Sequence, residues 1–115
     1  MPDNTALPLE IDCRSVQERL AAQAADFVLL DCRESDEHAL VHIEEALLLP
    51  MSQMQARVGE LGAHRERQIV VHCHHGGRSL KVTHWLRAQG FPRVQSMAGG
   101  IDQWALEVDQ TLPRY

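Results

Sequence analysis

The segment Gln68-Ile69-Val70-Val71-His72-Cys73-His74-His75-Gly76-Gly77-Arg78-Ser79 constrains the fold of this chain more than any other. Its first five residues are β-branched at the centre, with charge before them and glycine after, which is the pattern of a buried strand. From Ser79 to Gln89 there is neither Gly nor Pro. Val82, Trp85, Leu86 and Gln89 fall along one side there, the pattern of a helix that Gly90 ends. A buried strand that passes through a short glycine loop into a helix is a unit of α/β architecture, and Cys73 sits at the joint.

The rest of the chain continues the alternation. Leu9-Glu10-Ile11 is a weak edge strand, and Asp12 is placed to cap a helix carrying Ser15, Val16, Leu20 and Ala24. Phe27-Val28-Leu29-Leu30 is a second buried strand, Ser35 can cap a short helix, and Ala46-Leu47-Leu48-Leu49 is a third strand. Ser52 with Gln55 forms a capping-box pattern that opens a helix reaching Leu61, where Gly62 stops it. Val94-Gln95-Ser96-Met97 is the last strand, followed by the Gly99-Gly100 turn and a helix with Ile101 and Trp104. Trp85 and Trp104 are expected as core anchors. With no internal repeat, the expectation is about five strands in a mainly parallel sheet with helices on both faces. A flexible N-terminal segment (1–8), a single domain (9–106) and a C-terminal tail (107–115) divide the chain. Ligands of open α/β sheets gather beyond the carboxyl ends of the strands, where Cys73 lies.

Charge and cysteine content exclude several functions. A formal net charge of −5 with no Lys/Arg block argues against a nucleic-acid partner. No apolar run approaches the ~20 residues that span a bilayer, so no membrane is expected either. The three cysteines cannot all pair within the chain, and the opening Met1-Pro2-Asp3-Asn4-Thr5 lacks the basic start and apolar centre of a secretory signal. A reducing, cytoplasmic setting is expected.

At neutral pH a cysteine with an ordinary pKa near ~8.5 is only a few per cent thiolate, and the thiolate is the nucleophile. A helix N-terminus favours a negative charge by about 0.3–2 kcal/mol, enough for about one pKa unit at about 1.4 kcal/mol each. Further help is expected from Arg78 and from any protonated fraction of His72, His74 or His75. Gly76 and Gly77 permit backbone angles that curl successive amides into an anion nest. The loop is thus a cradle for negative charge on sulfur. The adjacent His72, Cys73, His74 and His75 alternate sides, and no second ligand pair stands at zinc spacing, so no metal is expected. Cys32 is expected to fill the sheet as a small hydrophobe, a resolving thiol being the alternative, and Cys13 to be structural. Asp31 and Arg33 lie at another carboxyl strand end, where they either brace the loop or pair at the surface. His42 is expected to be a satisfied structural histidine.

Several motifs together resemble the single-domain rhodaneses, a sulfurtransferase family. They are Leu29-Leu30-Asp31-Cys32-Arg33-Glu34, Val41-His42-Ile43, the loop from Cys73 to Ser79, Gly90-Phe91, and Gly99-Gly100-Ile101-Asp102-Gln103-Trp104. The resemblance covers nearly the whole chain. It implies a rhodanese-like α/β fold and a Cys73 that takes sulfane sulfur from a donor such as thiosulfate as a persulfide. The sulfur then passes to cyanide, a thiol or a protein acceptor. No metal or organic cofactor is implied. His74, His75, Gly76, Gly77, Arg78 and Ser79 are the substrate-binding loop by this resemblance, and Asp31, Arg33 and His42 its supports.

His74, His75, Gly76 and Gly77 separate Cys73 from Arg78, whereas phosphatases related to this fold have one residue more, in a ring that surrounds a tetrahedral oxyanion. Arg78 either binds the sulfonate end of thiosulfate or turns away and braces the loop. His74 and His75 occupy positions that vary among relatives, and they are expected to favour anionic donors at mildly acidic pH. Val41 stands where relatives usually have Gly, and Glu44-Glu45 where they often have Pro-Gly. Residues 107–115 resemble the end of rhodanese domains attached to adenylating enzymes that load sulfur carrier proteins. A persulfide carrier module serving a protein partner is therefore the alternative to an enzyme, with a small phosphatase or arsenate reductase behind it.

Overall fold

The computed structural model describes residues 7–115, and the first six residues of the expected N-terminal segment lie outside the described residues. Five strands form one sheet: β1 (Glu10–Ile11), β2 (Phe27–Asp31), β3 (Leu47–Leu48), β4 (Gln68–His72) and β5 (Val94–Met97). Their order is β1-β5-β4-β2-β3, and every neighbouring pair is parallel. All of β4 is buried, as a strand between two helical layers must be, and its sequence therefore lacks the polar alternation of a one-sided sheet.

Alternate residues feed two cores. Ile69, Val71 and Cys73 join Val28, Leu30 and Cys32 under Met54, Val82 and Leu86. Leu29 and Val70 join Cys13, Val16, Ile101 and Trp104 on the other face. Helices α1 (Cys13–Ala21) and α5 (Gly100–Glu107) therefore cover one side, and α3 (Met54–Arg57) and α4 (Gly77–Ala88) the other; α2 (Ser35–Leu40) is short and has no buried residue.

Asp12 caps α1 as expected, its Oδ1 accepting the Ser15 N–H at 2.8 Å, although the helix ends at Ala21 and leaves Ala24 outside. The other two caps differ from expectation. Glu34, not Ser35, caps α2, and the Glu37 carboxylate accepts the Glu34 N–H at 3.1 Å. Ser52 gives its hydroxyl to Glu34 Oε1 at 2.6 Å instead of capping its own helix. The helix expected from there to Leu61 is broken into a 3₁₀ turn (Met51–Gln53), α3, and a 3₁₀ stretch (Val58–His64) that runs through Gly62. Gly59 and Gly62 each weaken an α-helix by about 1 kcal/mol, so this segment follows the core contacts of Met54 and Leu61 instead.

Helix α4 stops at Gly90 as its sequence suggests. The Gly90 N–H reaches Arg87 O at 3.2 Å, and the Phe91 N–H reaches Leu86 O at 3.1 Å, with Phe91 then entering the core. Helix α5 crosses the expected 106/107 boundary and ends at Glu107. No helix among the described residues is long and apolar enough to cross a membrane.

From β2 the chain moves outward to β3, and from β4 it moves the opposite way to β5. Neighbouring strands whose connections diverge leave a crevice at their carboxyl ends. Asp31 and His72 end β2 and β4 there, and Cys32 and Cys73 follow them.

Candidate active site

Cys73 follows β4 and is 1% exposed. Its Sγ accepts the N–H of Gly76 at 3.1 Å and of Ser79 at 3.3 Å, and Ser79 Oγ lies 3.5 Å away. Gly76 precedes α4 with φ 115°, a left-handed conformation that glycine adopts without strain and that aims its amide at the sulfur. The sulfur thereby occupies the place of a capping side chain at the positive end of α4. Ser79 Oγ is held in turn by Ser96 Oγ of β5 at 2.7 Å.

Cys32 is more than filler. Strands β2 and β4 are in register through Asp31 and His72, and the Cys32 N–H donates to His72 O at 3.0 Å, which sets Cys32 beside Cys73 in one core layer. Its thiol is the strongest influence on Cys73, whose pKa is brought down to about 4. Burial opposes that shift, while the Ser79 hydroxyl and the amides of Ser79 and Gly76 add to it. The neighbouring Cys73 sulfur, together with burial, pushes Cys32 upward, so Cys73 is the one of the two that ionises. In Cys32→Ala the ionised form of Cys73 loses the thiol beside it, a stabilisation of about 1.5–3 kcal/mol, and its pKa rises by about 1–2 units. The pH profile of Cys73 alkylation reads this directly. An unmoved midpoint, or no recovery in Cys32→Ser, contradicts it. Cys13, by contrast, is pushed up to about 12, chiefly by burial.

The cations expected near the sulfur are otherwise engaged. Arg78 turns its Nη1 and Nη2 to the two oxygens of Glu37 at 2.6 and 2.8 Å, which is the bracing arrangement of its two possibilities. That pair holds the Glu37 carboxyl down to about 2. His72 is fully buried, and burial pushes its pKa down despite Asp31 Oδ2 at 3.8 Å. It is therefore neutral and adds no positive potential.

Asp31 and Arg33 form a buried brace, not a surface pair, with both side chains 0% exposed. Arg33 Nε and Nη2 donate to Asp31 at 3.0 and 2.7 Å, and Nη2 also donates to Val41 O at 2.7 Å. Nη1 reaches Glu37 O at 3.3 Å and the Tyr115 hydroxyl at 3.1 Å. The brace thus holds α2 and reaches the Cys73 loop through Glu37 and Arg78, and through Tyr115. His42 Nδ1 lies 3.0 Å from His38 O. It lines a cleft of about 600 Å³ with Leu20, Ile43 and Trp104 that includes no residue of the Cys73 loop.

His74 stacks on Tyr115 at 3.9 Å, and the Tyr115 hydroxyl donates to Glu37 Oε2 at 2.8 Å. Glu37, Ser96, Asp102 and Tyr115 thus join the site without having been singled out in the sequence. They come from four separate segments, and Glu37 stands among Glu34 and Asp36 with nothing to distinguish it.

Helix α5 grips the loop from below, the Ile101 and Asp102 amides donating to Cys73 O at 2.9 Å and His74 O at 3.1 Å. At Gly100, with φ 61°, an added Cβ would stand 2.5 Å from Cys73 O and closer still to His74 O. Gly100→Ala is expected to destabilise the fold by about 1–3 kcal/mol and to displace the loop amides from Sγ. A denaturant melt and the Cys73 alkylation profile both report it, and wild-type values in both would refute it.

Fold and loop together define an α/β domain that sets a buried cysteine of lowered pKa at a helix N-terminus, at the switch point of a parallel sheet. The chain belongs to the rhodanese-like domain family, whose model matches residues 11–107. It is 38% identical over 96 residues to a sulfurtransferase of Allochromatium vinosum, covering 84% of this chain and 87% of that protein. It is 37% identical over 79 residues to the thiosulfate sulfurtransferase GlpE of Coxiella burnetii, covering 69% and 72%. A rhodanese-related protein from Thermoplasma volcanium superposes with a TM-score of 0.77 at 26% identity, covering 88% of this chain and 94% of that one. Some relatives are longer, and the chain spans 30% and 27% of two of them.

Proposed function

We propose that the protein is a sulfurtransferase of the thiosulfate:cyanide type that carries sulfur as a persulfide on Cys73. The observation that supports this most is the pair of N–H donors from Gly76 and Ser79 aimed at Cys73 Sγ. They stabilise a thiolate before reaction and the sulfur anion after it. The thiolate attacks the outer sulfur of thiosulfate, the S–S bond of the donor breaks, and sulfite leaves with the electron pair. The Cys73 persulfide anion is then attacked at its outer sulfur by cyanide, a thiol or a protein acceptor such as a sulfur carrier protein, and the Cys73 thiolate leaves. Charge and atoms balance in both steps, so no metal or organic cofactor enters. With Arg78 committed to Glu37, the loop amides are the groups that meet the transferred sulfur. Three free cysteines, one of them ionised, suit a reducing compartment such as the cytoplasm.

Incubation with thiosulfate followed by intact-mass analysis is expected to show one added sulfur atom, mapped to Cys73, and cyanide is expected to remove it as thiocyanate. No sulfur gain refutes the proposal. An adduct that cyanide leaves in place and only a protein acceptor discharges would assign the carrier role instead, and hydrolysis of an aryl phosphate would assign the oxyanion chemistry.

A further inference from the structure

The two loop histidines meet a third ligand-bearing side chain. His75 Nε2 stands 3.8 Å from Asp102 Oδ2, and the His74 and His75 rings lie 3.8 Å apart. Among the described residues, His74, His75 and Asp102 each offer a ligand atom within 4.8 Å of the other two. His74 Nε2 is shielded from solvent and has no hydrogen-bond partner, a state that is unfavourable for an imidazole nitrogen unless something binds it. The Asp102 carboxylate is held by Arg114, through Nε at 2.8 Å and Nη2 at 3.1 Å. A cation therefore already stands beside it.

We propose that His74, His75 and Asp102 form a binding site for a late first-row divalent ion of the zinc class. Two imidazoles and one carboxylate make a nitrogen–oxygen set suited to zinc, copper or nickel, not to the all-oxygen shells of calcium and magnesium. Bonds of about 2.0–2.2 Å require the three ligand atoms to close in. His75, 67% exposed, has room to do so. Three protein ligands leave a fourth position open to water or another small ligand. The sequence conceals the site because adjacent histidines lack a second pair at zinc spacing; the third ligand arrives on α5, whose Asp102 N–H is bonded to His74 O. The site stands independently of the sulfur-transfer chemistry, although it borders the same loop.

Zinc also binds thiolates, so the test removes Cys73 as a ligand. Zn²⁺ is titrated into the full chain carrying Cys73→Ser, in competition with a chromophoric chelator. One ion per chain is expected, with affinity at least about tenfold weaker in the added variants His75→Ala and Asp102→Asn. Arg114→Ala, which frees the carboxylate, is expected to bind more tightly. Thermal melts of each variant establish that the fold is intact. Affinity unchanged by His75→Ala and Asp102→Asn overturns the proposal. Binding present in the wild type but lost in Cys73→Ser overturns it too, as does no binding at all.

Discussion

In Cys73→Ser, thiosulfate is expected to add no sulfur atom to the chain, and thiocyanate release to fall by at least about 10³-fold. Cys32, the Ser79 hydroxyl and the loop amides bring the Cys73 pKa down to about 4, which keeps it a thiolate at neutral pH. A serine hydroxyl in the same cradle stays protonated and is no nucleophile for sulfane sulfur. The size of the loss follows from removing the atom that forms the new bond, not one that merely stabilises it. Cys32 is the internal control. It lies beside Cys73, but the neighbouring Cys73 sulfur and burial hold its thiol protonated. Peptide mapping of the treated variant should therefore find Cys32 and Cys13 unmodified. Sulfur on Cys32, or thiocyanate release near the wild-type rate, would show that Cys73 is not the carrier.

Arg33→Ala is expected to lower stability by about 3–5 kcal/mol, because it leaves the Asp31 carboxylate buried without its counter-ion. That is a large share of the roughly 5–15 kcal/mol that holds such a domain together, and the melting temperature should drop by more than roughly 10 °C. Burial works against the Asp31 charge, and the Arg33 hydrogen bonds and charge outweigh it, so the carboxyl sits below its usual value. The same guanidinium holds Val41 O, Glu37 O and Tyr115, so its loss also frees the segment that fixes Arg78. A double variant, Asp31→Leu with Arg33→Met, separates charge from packing. Removing both charges is expected to recover a substantial part of the loss, since a buried pair replaced by apolar groups is often neutral. Equal melting of Arg33→Ala and the wild type would contradict the brace.

The elements that the sequence made legible are those whose signal is local. Strand β4 was visible because a strand covered on both faces needs an unbroken apolar run, and α4 because its apolar stripe is closed by Gly90. Ser52 failed as a cap for the opposite reason. Its hydroxyl found Glu34, distant in sequence, and nothing in the local pattern reports that competitor. Arg78 is similar: its type guaranteed a charge, but its direction depended on Glu37 arriving on α2.

By itself the sequence determined that a cysteine would be delivered from a buried strand into a glycine loop at a helix start, because backbone preferences and hydrophobic periodicity act over a few residues. Tertiary structure alone decided what surrounds the sulfur. Parallel register set Cys32 beside it, and the layers packed on both faces of β4 buried His72, which keeps it neutral. The packing of α5 brought Gly100 and Asp102 under the loop. Those choices depend on which distant segments touch, and the positions of side chains several segments apart carry no local signature.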